Sequence, residues 1–164
     1  MLIRLTVAVS VFIAICAASA FAEPRFEITA RLNGYDLVQA TGSSSKETDL
    51  PSVTVASGSE GLIQLAREFR YPKEYNKKGR VTLARIAYLG IRLPIYIRQT
   101  EDANLTFLLR AELCERLDPN DPSSAVSKTT SSVQGIATPG KLRTIIIGAP
   151  GGKKASLEIT FTAR

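Results

Sequence analysis

The side chains able to do chemistry here are carboxylates, amines, guanidinium groups and two thiols, because the 164 residues include no histidine. That removes Ser-His-Asp and Cys-His catalysis, the histidine general base and most transition-metal sites. Acidic pairs remain: Glu68 with Glu74, Glu101 with Asp102, Glu112 with Glu115, and Asp118 with Asp121. Two carboxylates flanking a glycosidic bond can hydrolyse it, so a small hydrolase is one reading. Glu68 and Glu112, however, sit on polar strand faces among Arg67, Arg70, Arg110 and Arg116, the ordinary setting of a surface ion pair. Asp118 and Asp121 each precede a proline, where aspartate usually shapes a turn. The expectation is a protein with no catalytic residue, no cofactor and no metal.

Three other groupings have the types of a binding site. Gly148-Ala149-Pro150-Gly151-Gly152-Lys153 has the outline of a phosphate loop, but that loop needs four residues before its Gly-Lys pair, then Ser or Thr and a helix. Here three intervene, Lys154 follows and the next residues alternate as a strand, so a hairpin loop with glycines at positive φ is expected. Tyr71, Lys73, Tyr75, Lys77, Lys78 and Arg80 combine aromatic and basic side chains. Nucleic-acid binders have that composition, but an exported chain has little contact with nucleic acid, so a solvated hairpin tip able to touch an anionic envelope partner is expected instead. Asn104-Leu105-Thr106 matches a glycosylation sequon at a strand start and carries little weight.

The elements that must position these residues are strands. Phe26, Ile28, Ala30 and Leu32 alternate with Glu27, Thr29 and Arg31. Ile91, Leu93, Ile95 and Ile97 alternate with Arg92, Pro94, Tyr96 and Arg98; Leu105, Phe107, Leu109, Ala111 and Leu113 form another face. Ala155, Leu157, Ile159, Phe161 and Ala163 make the last. Such period-two patterns predict half-buried antiparallel strands. Pro94 cannot donate to a ladder and is expected at an edge or a bulge. Strands over 52–56 and 62–71 flank a turn at 57–61, and 81–88 reads as a strand or a short helix. Predicted loops are 41–49, 73–80 and 118–132, the last Ser/Thr-rich and mobile, and a short helix is expected within 35–40. The prediction is mainly β: a single domain of antiparallel strands, sandwich or open sheet, with long polar loops.

The first 22 residues address the chain. Arg4 precedes a charge-free run from Leu5 to Ala18, and Ala20-Phe21-Ala22 places small residues before Glu23. That layout predicts a secretory signal peptide cleaved after Ala22, with an apolar run short of the roughly 20 residues of a membrane span. Cys16 follows Ile15, where lipid attachment requires a small residue. The mature chain, 23–164, then has 142 residues, and loss of Arg4 leaves 20 basic against 15 acidic residues, a net charge of +5. Cys114 remains as the only cysteine, so no intramolecular disulfide forms and the thiol is expected to be buried.

Several segments resemble the C-terminal β-domain of bacterial secretins, the channel subunits of type II and III secretion and type IV pilus systems. Leu50-Pro51-Ser52-Val53-Thr54-Val55, Ser57-Gly58, and 63–68 leading to Arg70-Tyr71-Pro72 are similar to that family's strand, turn and Tyr-Pro-type turn. Leu89-Gly90-Ile91-Arg92-Leu93 with Ile95 and Ile97 resembles its glycine-led apolar strand, and 104–112 the partner strand. Ile145-Ile146-Ile147-Gly148 could answer the terminal strand, with the paired glycines displaced to Gly151 and Gly152. The resemblance covers about 51–115, with a weaker echo to the C terminus. It lacks preceding ring-building domains, and the middle of the channel domain is reduced to 41–49.

The resemblance thus implies a small exported module, not a whole pore-forming subunit. It would act in the periplasm or at the outer membrane, bind a secretion or pilus component through exposed strand edges, and be able to self-associate. The alternative is a soluble periplasmic β-sandwich that binds an anionic envelope polymer, glycan or lipid through the basic loop.

Overall fold

The computed structural model describes residues 23–121 and 124–164, so the signal peptide and its cleavage site lie outside the described residues. The elements are β1 (Arg25–Asn33), α1 (Val38–Thr41), β2 (Glu47–Asp49), β3 (Val53–Ala56), β4 (Ser59–Tyr75), β5 (Val81–Gln99), β6 (Leu105–Arg116), β7 (Val126–Ala137), β8 (Arg143–Gly148) and β9 (Lys154–Ala163). One sheet has the order β2-β1-β9-β8, with β3 pairing the other half of the β1 edge that β2 occupies. The second is the antiparallel meander β4-β5-β6-β7.

Alternation explains why the two sheets close on each other. Phe26, Ile28 and Leu32 of β1 and Leu157, Ile159 and Phe161 of β9 are fully buried, as are Ile91 through Ile97 at odd positions of β5 and Leu105, Leu109 and Leu113 of β6. All belong to one apolar cluster, and the rings of Phe107 and Phe161 meet across the layers at 5.5 Å between centroids. Such a core supplies the stability that no disulfide provides. The mainly-β expectation holds, in its sandwich form.

Several local expectations are corrected. The Ser/Thr run inside 118–132 is not a loop beyond Ala125: it enters β7, which pairs with β6 without a slip from Arg116↔Val126 to Leu105↔Ala137. Only Ala137 of β7 is buried, so the strand has no apolar stripe to announce it. Pro94 lies in β5, between β4 and β6 and away from any edge. Its missing N–H is accommodated by a gap: bridges to β6 stop at Arg92↔Glu112 and resume in register at Ile95↔Leu109. Residues 81–88 are strand, 47–49 form β2, β4 runs on to Tyr75, and the helix is the single turn α1.

Cys114 is half-buried, on the outer face with Glu112, because Leu113 takes the inward position and the alternation turns its neighbour out. The hairpin expectation for 148–153 is met: Gly148 pairs Lys154, and Gly151 and Gly152 both sit at φ 72°.

Candidate functional site

The basic loop forms the tip of the β4–β5 hairpin, and Asn76 builds it. Its Oδ1 accepts from the backbone N–H groups of Lys78 and Arg80, both at 2.9 Å, while its own N–H donates to the Arg80 carbonyl at 2.8 Å. Lys77, Lys78 and Arg80 are thereby gathered in solvent, and among the described residues their side chains make no ion pair. Across the hairpin Tyr71 pairs Arg85 and Tyr75 pairs Val81, with register shifts between Pro72 and Tyr75. The side chains of Tyr71, Lys73 and Tyr75 lie outside those described. Three of the six predicted residues are thus placed together at one exposed turn.

The acidic pairs do not converge. Glu112 and Glu115 point to different surroundings. The Tyr35 hydroxyl donates to Glu115 Oε2 at 2.5 Å, and burial followed by this bond pushes the phenol pKa up. Gln39 of α1 clasps the neighbouring Arg116 backbone, accepting from its N–H at 2.8 Å and donating to its carbonyl at 3.2 Å. Asp118 Oδ1 accepts from the Asn120 N–H at 2.9 Å, the turn role expected of it. Glu68, Glu74, Glu101 and Asp102 are exposed. Among the described residues no group of three His, Cys, Asp or Glu side chains is arranged to hold a metal.

Two further features stand out, an outer face that was not anticipated and the location of the exposed strand edges that were. The first is the outer face of the meander sheet. Leu62 lies opposite Pro94, Tyr96 opposite Leu108, and Thr106 opposite Ile136. Leu62, Tyr96, Leu108 and Ile136 are open to solvent, Leu108 at 50% and Ile136 at 59%. Beside them a polar row, Gln64-Arg92-Glu112-Thr130, crosses all four strands in register. Glu112 is buried at 8% exposure. It accepts Arg110 at 3.1 Å and Lys128 at 3.0 Å, with Arg92 at 4.0 Å. Arg92 is held by Gln64 Oε1 at 3.0 Å and lies 4.8 Å over the Tyr88 ring. The even-numbered residues of β5 and β6, read together as one face, carried this signal.

The second feature is the pair of sheet edges. Among the described residues β4, 17 residues long, has a backbone ladder only with β5, and β7, 12 residues long, only with β6; the Gly148 N–H of β8 donates to the Ser131 hydroxyl of β7 at 2.8 Å. The edges of the other sheet are short: β2 and β3 have 3 and 4 residues and β8 has 6. An unpaired strand edge offers a row of backbone donors and acceptors to another chain.

No family model matches the chain, and no curated protein matches it in sequence. Solved structures do. The secretin InvG of the Salmonella SPI-1 type III secretion injectisome superposes with a TM-score of 0.56 at 10% identity, over 87% of this chain and 65% of InvG. GspD, the type II secretin of enteropathogenic Escherichia coli, gives 0.54 at 9% identity, over 87% of this chain and 69% of that one. A chain of the Klebsiella pneumoniae type II secretion system outer membrane complex, which contains PulD, PulS and the PulC HR domain, gives 0.54 at 11% identity, over 87% and 40%. This chain therefore spans less than two thirds of the InvG and Klebsiella chains. The fold is secretin-like, and the likeness extends well beyond the 51–115 stretch on which the sequence resemblance rests.

Proposed function

We propose that this protein is an exported structural subunit that joins copies of itself through the β4 and β7 edges, within a secretion or pilus apparatus at the outer membrane. In this reading the leader is removed after Ala22 and 23–164 acts as one β module. The observation that carries it is geometric. In the meander β4-β5-β6-β7 every neighbour is antiparallel, so β4 and β7 run in opposite directions. A second copy can therefore set its β4 against β7 of the first and continue the alternation without a break. Such a head-to-tail contact uses two different surfaces, and repeated with a constant rotation it closes a ring. Backbone pairing asks little of side-chain identity, which fits a fold kept at about a tenth sequence identity. The secretin complexes with this fold support a secretion component as the partner.

The experiment is light-scattering size exclusion of the full-length and leaderless chains, with and without detergent, on the wild type, Thr129→Pro and Thr130→Pro. Adjacent strand residues donate to opposite sides, so one of the two prolines removes an outward donor of β7. Assembly should occur in the wild type and fail in one variant only. A monomer under all conditions, or assembly indifferent to both prolines, would overturn the proposal. The exposed cluster Lys77, Lys78 and Arg80 favours a second reading, a soluble sandwich that attaches to an anionic envelope polymer, glycan or lipid. That reading predicts a detergent-independent monomer whose attachment is lost when the three charges are neutralised.

A further inference from the structure

On the outer face of the meander three cations gather round one buried carboxylate, and a concavity of about 280 Å³ lies over part of this cluster. Tyr88, Arg92, Glu112 and Lys128 line it together with Ile86 and Val126. Three cations, Arg92, Arg110 and Lys128, surround the one carboxylate of Glu112. Glu68, opposite Tyr88 on β4, lines a different concavity. Arg92 is the least engaged of the three, 4.0 Å from Glu112, yet it is fixed in place by Gln64 and by the Tyr88 ring. A guanidinium already oriented loses little entropy on gaining an anionic partner. Lys128 Nζ, on the adjoining strand, contributes a second charge with free donors, since an ammonium has three and only the Glu112 contact is made. The other wall is apolar, with Ile86 53% exposed.

We infer that this concavity binds a phosphate group carried on an apolar stem, the phosphate between Arg92 and Lys128 and the stem against Ile86, Tyr88 and Val126. A phosphate supplies the close anionic partner that Arg92, the cation farthest from Glu112, lacks, and charge-assisted hydrogen bonds to phosphate are the contacts for which arginine and lysine are suited. The exposed apolar wall needs a cover that a bare phosphate cannot give. Glu112 is the positioning residue, holding Lys128 at the pocket beside Arg92. The site takes Lys128 and Val126 from β7 but uses their side chains, whereas the assembly proposed above uses the outward backbone groups of that strand, so ligand titration and oligomeric state test the two separately.

The test uses the full-length chain and calorimetric titration with three probes: phenyl phosphate, inorganic phosphate and phenol. Phenyl phosphate should bind saturably at one site, inorganic phosphate more weakly, and phenol not at all. The double variant R92Q/K128Q should weaken phenyl phosphate about tenfold or more, the loss expected for two charge-assisted contacts. Ile86→Glu, a change on an exposed side chain that leaves the ion cluster intact, should do the same by repulsion. Lys77→Gln/Lys78→Gln should change nothing. Co-sedimentation with phosphatidylcholine vesicles, with and without phosphatidate, separates the sources. Retention only with phosphatidate, lost in R92Q/K128Q, assigns a lipid headgroup; phenyl phosphate binding without vesicle retention assigns a soluble phosphate ester. Absence of saturable phenyl phosphate binding to the wild type, binding of inorganic phosphate as tight as that of phenyl phosphate, or unchanged affinity in both R92Q/K128Q and I86E would overturn the inference.

Discussion

Replacing Gly90 by alanine should be the most damaging single methyl addition in the protein. Gly90 sits where β5 first meets β6, pairing both Ala66 and Cys114, and beyond it β4 and β5 continue as a hairpin. Its φ of 123° lies in a region that L side chains rarely adopt. A Cβ there would also stand 2.3 Å from the Leu65 carbonyl oxygen, 2.8 Å from Ala40 Cβ and 2.9 Å from Ala66 Cα. Two of those obstacles are backbone of the paired strand and cannot rotate away. The conformational cost is about 1–3 kcal/mol. Overpacking against fixed atoms adds about 1–3 kcal/mol, for a total of about 2–6 kcal/mol. Two controls separate the contributions. Gly140→Ala has positive φ (78°) and nothing within 4 Å, so it should cost only the conformational part, about 1–2 kcal/mol. Gly61→Ala has no such φ but meets Val55 Cγ2 at 2.3 Å, a side chain that can shift, and should cost about 0–2 kcal/mol after the entropy gained in the unfolded chain. Urea unfolding of all three against wild type, read as midpoints at constant slope, gives the differences. If G90A costs no more than G140A, the close approach of Leu65 and Ala40 is not a constraint, and the account of β5 at this point is wrong.

Four further outcomes are expected. Glu112→Gln should destabilise by about 1–2 kcal/mol, below the usual cost of breaking a buried ion pair because Arg110 and Lys128 stay half-exposed, whereas Lys128→Gln should cost under about 1 kcal/mol because Glu112 keeps Arg110; thermal unfolding measures both. Cys114 should be alkylated by a thiol reagent more slowly than in denaturant and with a pH profile displaced upward, since burial raises its pKa against the lowering effect of Lys128; K128Q should displace the profile further upward. Neutralising Lys77, Lys78 and Arg80 together should alter unfolding free energy by no more than about 0.5 kcal/mol, as measured in urea, because all three are exposed. Amino-terminal sequencing of the exported protein should read Glu23-Pro24-Arg25-Phe26.

The strands that build the core were legible because each writes its burial in alternate residues. β1, β5, β6 and β9 keep Ile, Leu and Phe at odd or even positions over their central length, and those residues are the ones fully buried. β7 was illegible for the same reason inverted. Val126-Ser127-Lys128-Thr129-Thr130-Ser131 buries nothing, and its place is set by the ladder to β6, a partner the sequence pattern does not name. Pro94 misled because its usual exclusion from central strands assumes an unbroken ladder, and β5 leaves a gap opposite it. The exposed turn at 76–80 was readable from Asn76, Gly79 and the charges. The ion row on the outer face was not, since it exists only once Arg92, Glu112 and Lys128 are brought together from three strands.

The composition of β7 bears on which edge an assembly would use. Natural sheets guard their free edges with charges, prolines, bulges or brevity. The edge strands β2 and β3 are short, and β4 carries Arg67, Glu68, Arg70 and Pro72 with a register break near its tip. β7 has none of these devices over most of its length, and what touches it at Ser131 is the Gly148 N–H of β8, not a paired strand. It is 12 residues long, contains one charged residue and no proline, and keeps a continuous register with β6. Lys128, its one charge, is turned to Glu112 on the outer face and so guards little. Serine and threonine hydroxyls add hydrogen-bonding capacity without the repulsion that would keep a second strand away. A strand edge without a backbone partner over this length is a liability unless another strand covers it. The strand best matched to it in length and direction is β4 of another copy, and the proline pair at Thr129 and Thr130 puts that match to the test.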